Sequence, residues 1–427
     1  MTPKKTTTKK AVSPEKVAKK STTKKAVSPE KSTKMNFKEL SKLFSDNHVD
    51  SNDIASITHF LQSKNTPAAR IYSAKAKTAL KSIGVGLNDI EVDWNVPFAP
   101  IKNPKFTFID LFAGIGGMRV AFQNLGGKCV FTSEWDKNSQ KTYYTNFGEM
   151  PYGDITKVNE LEVPNHDVLI AGFPCQAFSI AGFKGGFDDT RGTLFFDVAR
   201  IIEAKQPKAF FLENVKGLVG HDKGRTLKVI LNTLRNDLGY YVPDPQVINA
   251  KHFGVPQNRE RIFIVGFKSK SAAKRFSYPS PLGKTVTFSN VKEKSKVSVR
   301  YYLSTQYLST LEKHRARHEA KGNGFGYAII PDDGIANAIV VGGMGRERNL
   351  VYDHRLTDFV PQTKIKGSVN RKGIRKMTPR EWARLQGFPD KFKIVVADAQ
   401  AYKQFGNSVA VPAIQATGRS LLRALEV

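Results

Sequence analysis

The stretch DVLIAGFPCQAFS, Asp167 to Ser179, constrains the chain most, because it carries a single cysteine out of an apolar strand onto a loop. Asp167 to Ala171 reads as a buried strand of parallel-sheet type. Gly172-Phe173-Pro174 ends it sharply, since proline cannot continue a ladder. The thiol of Cys175 is therefore expected at the carboxyl end of a strand, the edge at which open α/β sheets bind ligands. A lone cysteine is most often only a small buried hydrophobe, so the rest of the chain has to decide. The glycine-rich, charged run that follows, 182 to 190, reads as a mobile flap.

From Lys105 onward the chain alternates strand, loop and helix. Phe106 to Leu111 is an apolar strand; Gly114, Gly116 and Gly117 then let the backbone turn and approach a ligand, and Met118 to Leu125 continues as a helix. A second strand, Cys129 to Thr132, ends in Ser133-Glu134-Trp135-Asp136. Glu134 follows the glycine turn at about the spacing at which a carboxylate takes ribose hydroxyls, and Trp135 is placed to flank an adenine. Asp154, in Gly153-Asp154-Ile155, is within reach of a base amine, although an ordinary turn aspartate has the same signature. No Lys-Ser/Thr pair follows the glycines, so a nucleoside cofactor without phosphates fits better than ATP or a dinucleotide.

A further strand, Ala209 to Leu212, delivers Glu213 to the same sheet edge as the thiol. Thr193 to Ala204 between them reads as a helix, and a right-handed crossover puts both strands in one parallel sheet. In QNRERIFIVGF, Gln257 to Phe267, Arg259 and Arg261 alternate onto one face ahead of a buried strand, an exposed pair suited to holding a phosphate or a carbonyl.

Charge points to the partner. With 67 Lys+Arg against 38 Asp+Glu the net charge is +29, which calls for a polyanion, most simply nucleic acid, with an anionic membrane surface as the rival. Residues 1 to 35 repeat the decamer TTKKAVSPEK and carry +9, leaving +20 on the remainder. Such a lysine-rich tail is expected to be disordered, as a basic arm, a localisation signal or equally a solvated tail with no specific role. No apolar run approaches a membrane span and the amino terminus lacks a signal-peptide core, so the expectation is a soluble intracellular protein. That means cytoplasmic in a prokaryotic setting, and nuclear or in a viral factory otherwise. Two cysteines allow neither a disulfide framework nor a zinc site, and no metal is expected. From Asn36 to about Pro100 the sequence predicts short helices: Phe37 to Phe44, Asp53 to Leu61 capped at Ser51/Asn52, and a longer one opening near Pro67. Ile54, Ile57 and Phe60 should make a small core of their own, and a DNA-contacting module is the bolder reading.

Five motifs then fall in one order: the glycine turn, Gly-Phe-Pro-Cys, Glu-Asn-Val, Gln-x-Arg-x-Arg and a closing Gly-Asn-Ser-Val. Over 106 to 267 and again over 376 to 416 the chain resembles the DNA methyltransferases that form 5-methylcytosine. The resemblance implies a twisted, mostly parallel, Rossmann-like α/β sheet with helices on both faces and a smaller inserted target-recognition domain. It implies Cys175 as nucleophile, Glu213 as the partner of cytosine N3, and Arg259 and Arg261 beside the base carbonyl. C5 of cytosine is a poor nucleophile until a thiolate adds at C6, and protonating N3 makes that addition feasible. The implied donor is S-adenosyl-L-methionine, surrounded by Phe112, Gly114, Gly116, Gly117, Glu134, Trp135, Asp154, Ile155 and Pro174. Asn407, Ser408 and Val409 close the pocket. No side chain is assigned to remove the C5 proton; water serves.

The expected division is a tail (1–35), a helical extension and linker (36–100), a first catalytic part (101–285), a recognition domain (286–397) and a closing catalytic part (398–427). The recognition segment offers Arg346, Arg348, Arg355 and Arg371 to guanine edges or phosphates, and has Ala338-Ile339 where the family commonly has a Thr-Leu type pair. The partner is duplex DNA with the target base flipped out; no obligate protein partner is evident, and a monomer is expected. Three other readings compete: a tRNA cytosine-5 methyltransferase, a catalytically inactive DNA-binding homologue, and a nicotinamide-dependent oxidoreductase with a reactive thiol.

Overall fold

The computed structural model describes residues 33–87, 89–174, 194–323, 326–342, 345–361 and 367–427. The tail through residue 32, Cys175 and the 182–190 segment lie outside the described residues. Six strands form the central sheet: β1 (Phe106–Leu111), β2 (Gly127–Ser133), β3 (Val168–Gly172), β4 (Ala209–Val215), β5 (Gln246–Asn249) and β6 (Glu260–Phe267). Their order is β2-β1-β3-β4-β6-β5. The first four are mutually parallel, and β6 runs antiparallel to both β4 and β5. The chain leaves β1 toward one side and returns on the other, so β1 and β3 flank a topological switch point, where a crevice opens at the strands' carboxyl ends.

Strand periodicity divides the core in two. Phe108, Val168, Ile170, Phe211, Phe263 and Val265 pack on one face with Val120 and Phe122 and with the closing helix Val411–Leu425. Ile109, Leu111, Leu169, Phe210, Leu212 and Ile264 pack on the other with Phe195, Ile201 and Ile230.

The amino-terminal extension corrects two expectations. Its helices are Phe37–Asp46, Ser51–Ser63 and Ala69–Ser82, and Thr33–Asn36 pairs in parallel with Ile90–Asp93. The second helix is capped by Asp50, which accepts from the Asn52 and Asp53 amides at 2.7 and 3.1 Å, one residue ahead of the predicted Ser51/Asn52. Ile57 and Phe60 build no separate core. With Leu40, Tyr72 and Leu80 they join Val130 and Phe131 of β2 in the second face of the main core, and Ile54 packs against it. The reason is that these helices carry more apolar surface than three short helices can bury against each other.

A buried polar network locks the extension in place. Arg119 donates to Glu149 at 2.6 Å, to Tyr143 at 2.9 Å and to Gln62 of the extension at 3.3 Å. Glu149 also accepts from Thr132 Oγ1 at 2.8 Å and lies 3.5 Å from His59 Nε2.

Between 297 and 376 the chain makes a small three-stranded sheet, Ile329–Ile330, Leu350–Tyr352 and Ile374–Lys376, with helix Thr305–Glu319 beside it. Two small clusters serve it, one around Leu308, Leu311 and Leu350 and one around Val299, Tyr302 and Val369. Phe288, Ala336, Ile339, Met377 and Trp382, in contrast, belong to the main core. No helix among the described residues is long and apolar enough to cross a membrane.

Removing one member of a buried ion pair strands the other charge. Glu149→Gln is expected to lower the unfolding free energy by about 3–5 kcal/mol in a denaturant titration; a change below about 1 kcal/mol would contradict the network's role.

Candidate active site

A cavity of about 810 Å³ opens at the carboxyl ends of β1 to β4. Of the residues expected there, Phe112, Gly114, Gly117, Glu134, Trp135, Asp154, Ile155, Pro174, Glu213, Arg259, Arg261, Asn407, Ser408 and Val409 all line it. Gly116 does not. At φ +85 it caps helix Gly117–Asn124, and a Cβ there would lie 2.3 Å from Phe147, so packing and backbone shape demand this glycine. Gly117 answers to a close approach, since its Cβ would meet Ser408 Oγ at 2.8 Å and Val409 Cγ2 at 2.9 Å. Phe112 holds a left-handed backbone at φ +55, strain of the kind that collects at functional sites.

Glu134 ties the first two turns together. Its carboxylate accepts from the Gly114 amide at 2.8 Å and the Asp136 amide at 2.7 Å, while burial raises its pKa. Trp135 beside it stays 77% exposed, an unusual state for so large an apolar ring. Asp154 accepts from the Thr156 amide and hydroxyl at 3.0 and 2.8 Å, as a turn aspartate does, and still lines the cavity.

Glu213 lies opposite Gly172 in the parallel β3–β4 register, and Gly172 precedes Cys175 by three residues in the sequence. Its carboxylate is 3.1 Å from Arg261 Nε. Burial raises the Glu213 pKa, and the charges of Arg261 and Arg259 pull against that rise. Asn214 is buried and donates to the Phe173 carbonyl at 2.9 Å, so β4 also fixes the backbone that leads to Cys175. Pro174 and Leu194, the residues flanking the segment 175–193, both line the cavity.

Arg259 differs from the exposed, ligand-holding residue the alternation predicts. It is buried, and its terminal nitrogens donate to the carbonyls of Ile339 (2.9 Å), Gly406 (3.2 Å) and Ser408 (2.6 Å). Only its Nε has no partner among the described residues, and burial, aided by the Arg261 charge, pushes its pKa down to about 9. Gln257 works beside it, accepting from the Ile339 amide at 3.0 Å and donating to the Leu385 carbonyl at 2.9 Å. The Ala338-Ile339 pair is thus held by its main chain, with Ile339 fully buried.

The recognition arginines also sort themselves. Arg355 is committed to Asp353 and the Lys294 carbonyl, and Arg371 stacks on Phe359 at 3.6 Å. Arg346 lies over Tyr402 at 5.5 Å, and Arg346 and Arg348 are exposed.

Sequence reasoning missed Asp110. It is 1% exposed, lines the cavity, and its Oδ2 has no hydrogen-bond partner among the described residues. The signal was an acid inside the apolar strand FTFIDL. Burial raises its pKa from 3.8 to about 8. Between those values the folded state holds a proton that the unfolded chain has lost, so stability falls as pH rises and levels off above about 8. The effect of Asp110→Asn on unfolding free energy should therefore be more favourable at pH 8 than at pH 5, by about 2 kcal/mol or more. Denaturant titrations at the two pH values check this; equal effects would place the carboxyl in water.

The model of the family described as C-5 cytosine-specific DNA methylase matches residues 106–423. The type II methyltransferase M.HpaII of Haemophilus parainfluenzae is 71% identical over 334 residues, 77% of this chain and 93% of that protein. M1.ScrFI of Lactococcus lactis subsp. cremoris, also a type II methyltransferase, is 48% identical over 335 residues, 77% of this chain and 81% of that one. In fold the chain resembles the S. pombe Dnmt2 methyltransferase, at 16% identity and a TM-score of 0.56 over 76% of this chain and all of that one. It likewise resembles the Entamoeba histolytica methyltransferase EhMeth, at 19% identity and a TM-score of 0.58 over 75% and 98%. Matched along most of its length, with every sequence motif outside the segment 175–193 brought to one cavity, the chain belongs to the C-5 cytosine-specific DNA methylases.

Proposed function

We propose that the chain transfers a methyl group from S-adenosylmethionine to C5 of a cytosine flipped out of duplex DNA, with Cys175 as nucleophile. The observation that carries this reading is the pairing of the buried Glu213 with the half-buried Arg261 at the strand edge, one strand away from the backbone that leads into Cys175. The likeness to type II methyltransferases supports a modification role at a defined short sequence.

The residues present fit the donor. Six acidic side chains line the cavity, Asp110, Glu134, Asp136, Asp154, Asp197 and Glu213, and with Asp110 and Glu213 holding protons the other four still outnumber the three cations Arg259, Arg261 and Lys403. That balance suits a positively charged ligand and disfavours a polyphosphate. Glu134 would hold the ribose, Trp135 and Ile155 the adenine faces, Asp154 the adenine amine, and the unpartnered Asp110 Oδ2 the amino-acid end. When bound, the donor supplies an electrophilic methyl on a positively charged sulfur, which cytosine C5 takes up.

The residues divide the chemistry between them. The Cys175 thiolate adds to C6, and the electron pair displaced toward N3 is met by a proton held on the Glu213 carboxyl, whose burial favours the protonated form. Arg261, 3.1 Å from that carboxyl, orients it and would hold the base carbonyl. Arg259 supports the wall, with its terminal nitrogens on three carbonyls and its Nε left for the site. After methylation the C5 proton passes to water, Cys175 leaves as thiolate, and N3 returns its proton to Glu213. Arg346 and Arg348 remain open to DNA, and the net charge of +29 supports phosphate binding.

Incubation with labelled S-adenosylmethionine, mixed-sequence duplex DNA and bulk tRNA tests this. Label is expected on cytosines within one short duplex motif. Cys175→Ser should abolish transfer while donor binding persists, and Glu213→Gln should cut kcat by about 10²–10⁴. Label in tRNA alone would move the substrate to RNA; tight DNA binding with no transfer would leave a non-catalytic homologue.

A further inference from the structure

Strand β2 stands at the end of the sheet order, yet all seven of its residues are buried. An edge strand leaves one row of backbone donors and acceptors unpaired, and natural proteins cover such rows. Here side chains of the extension do so. The Tyr72 hydroxyl donates to the Val130 carbonyl. The Thr132 amide donates to His59 Nε2 at 3.1 Å, while His59 Nδ1, bearing the proton, donates to the Ala55 carbonyl at 2.8 Å. Two more backbone groups are held further on: Gln62 donates to the Phe147 carbonyl at 2.7 Å, and the Met150 amide donates to Thr58 Oγ1 at 3.1 Å.

These contacts bracket the turns that face the cavity. Thr132 immediately precedes Ser133-Glu134-Trp135, and Tyr152 immediately precedes Gly153-Asp154-Ile155. The two turns are joined by the Tyr152 amide to the Thr132 carbonyl (2.9 Å) and the Glu134 amide to the Tyr152 carbonyl (2.8 Å). The Tyr152 ring stacks on Phe131 at 5.3 Å and lies 4.9 Å from the His59 ring, with Tyr72 at 6.2 Å. Its hydroxyl donates to Ser56 of the extension at 3.2 Å.

We infer that residues 33–93, which precede the segment matched by the family model, are a built-in cap on the sheet edge, and that His59 is a positioning residue for the donor-binding turns. The inference rests on reading the cavity as the S-adenosylmethionine site. A His59→Ala change leaves the Thr132 amide buried without an acceptor, beside the very turn that carries Glu134. The extension thereby acts on the donor and not, as its helices taken alone invite, on DNA.

The test uses the full-length protein and three readouts: calorimetric binding of S-adenosylmethionine, binding of a duplex, and amide exchange at Thr132 and Glu134. His59→Ala is expected to weaken donor binding about tenfold, leave duplex affinity within about twofold, and speed exchange at both amides. His59→Gln, which restores an acceptor oxygen, should recover most of the donor affinity. If His59→Ala fails to fold, Tyr72→Phe removes only the hydroxyl on Val130 and should weaken donor binding about threefold. Unchanged donor affinity with a lowered Tm, or a loss confined to duplex binding, would overturn the inference. Absence of donor binding by the wild type would overturn the reading of the cavity itself, and the cap's role with it.

Discussion

Three alternating residues ahead of and within one strand, Gln257, Arg259 and Arg261, set the geometry on which the site depends. Gln257 and Arg259 reach the main chain at Ile339, Leu385, Gly406 and Ser408, segments far apart in sequence. They hold the inserted segment and the closing segment against the sheet. The next residue in the alternation, Arg261, is thereby delivered to Glu213 at 3.1 Å. Arginine suits both positions, because its planar fork satisfies several carbonyls at once and it keeps its charge when buried far better than lysine.

The same burial that makes these contacts strong sets the chemistry. Glu213 sits where low polarity favours its neutral form and two guanidinium groups favour its ionised form, and burial prevails, so its pKa is raised. A carboxyl held toward its neutral form can give up a proton as charge develops on a base and take it back afterwards. Around it acidic side chains outnumber basic ones along the cavity wall, although the chain as a whole carries +29.

Much of this was legible in the sequence. Short continuous apolar runs ending in glycine, proline or an acid placed Glu134, Glu213 and Pro174 at one edge, because strand ends in a parallel sheet share that edge. What alternation cannot give is depth. It put Arg259 and Arg261 on one face but could not tell that Arg259 would be buried and committed to carbonyls that come from 80 to about 149 residues further along the chain. Gly116 read like its neighbours, although its constraint comes from Phe147 and not from a ligand. Asp110 was passed over because one acid in an apolar strand reads as a defect until its unpartnered oxygen is seen in the cavity. The helices of the extension displayed an apolar face, and only the fold reveals that β2 was waiting for it.

Covalent addition of Cys175 to the base at this sheet edge is open to a direct test, the trapping of its adduct. In a duplex whose target cytosine carries fluorine at C5, methylation leaves no proton to remove and the thiolate cannot depart. The account predicts a denaturant-stable complex whose mass equals protein plus methylated duplex, formed only with S-adenosylmethionine present and absent from Cys175→Ser. Methyl transfer to the unmodified duplex without any such complex on the fluorinated one would contradict it.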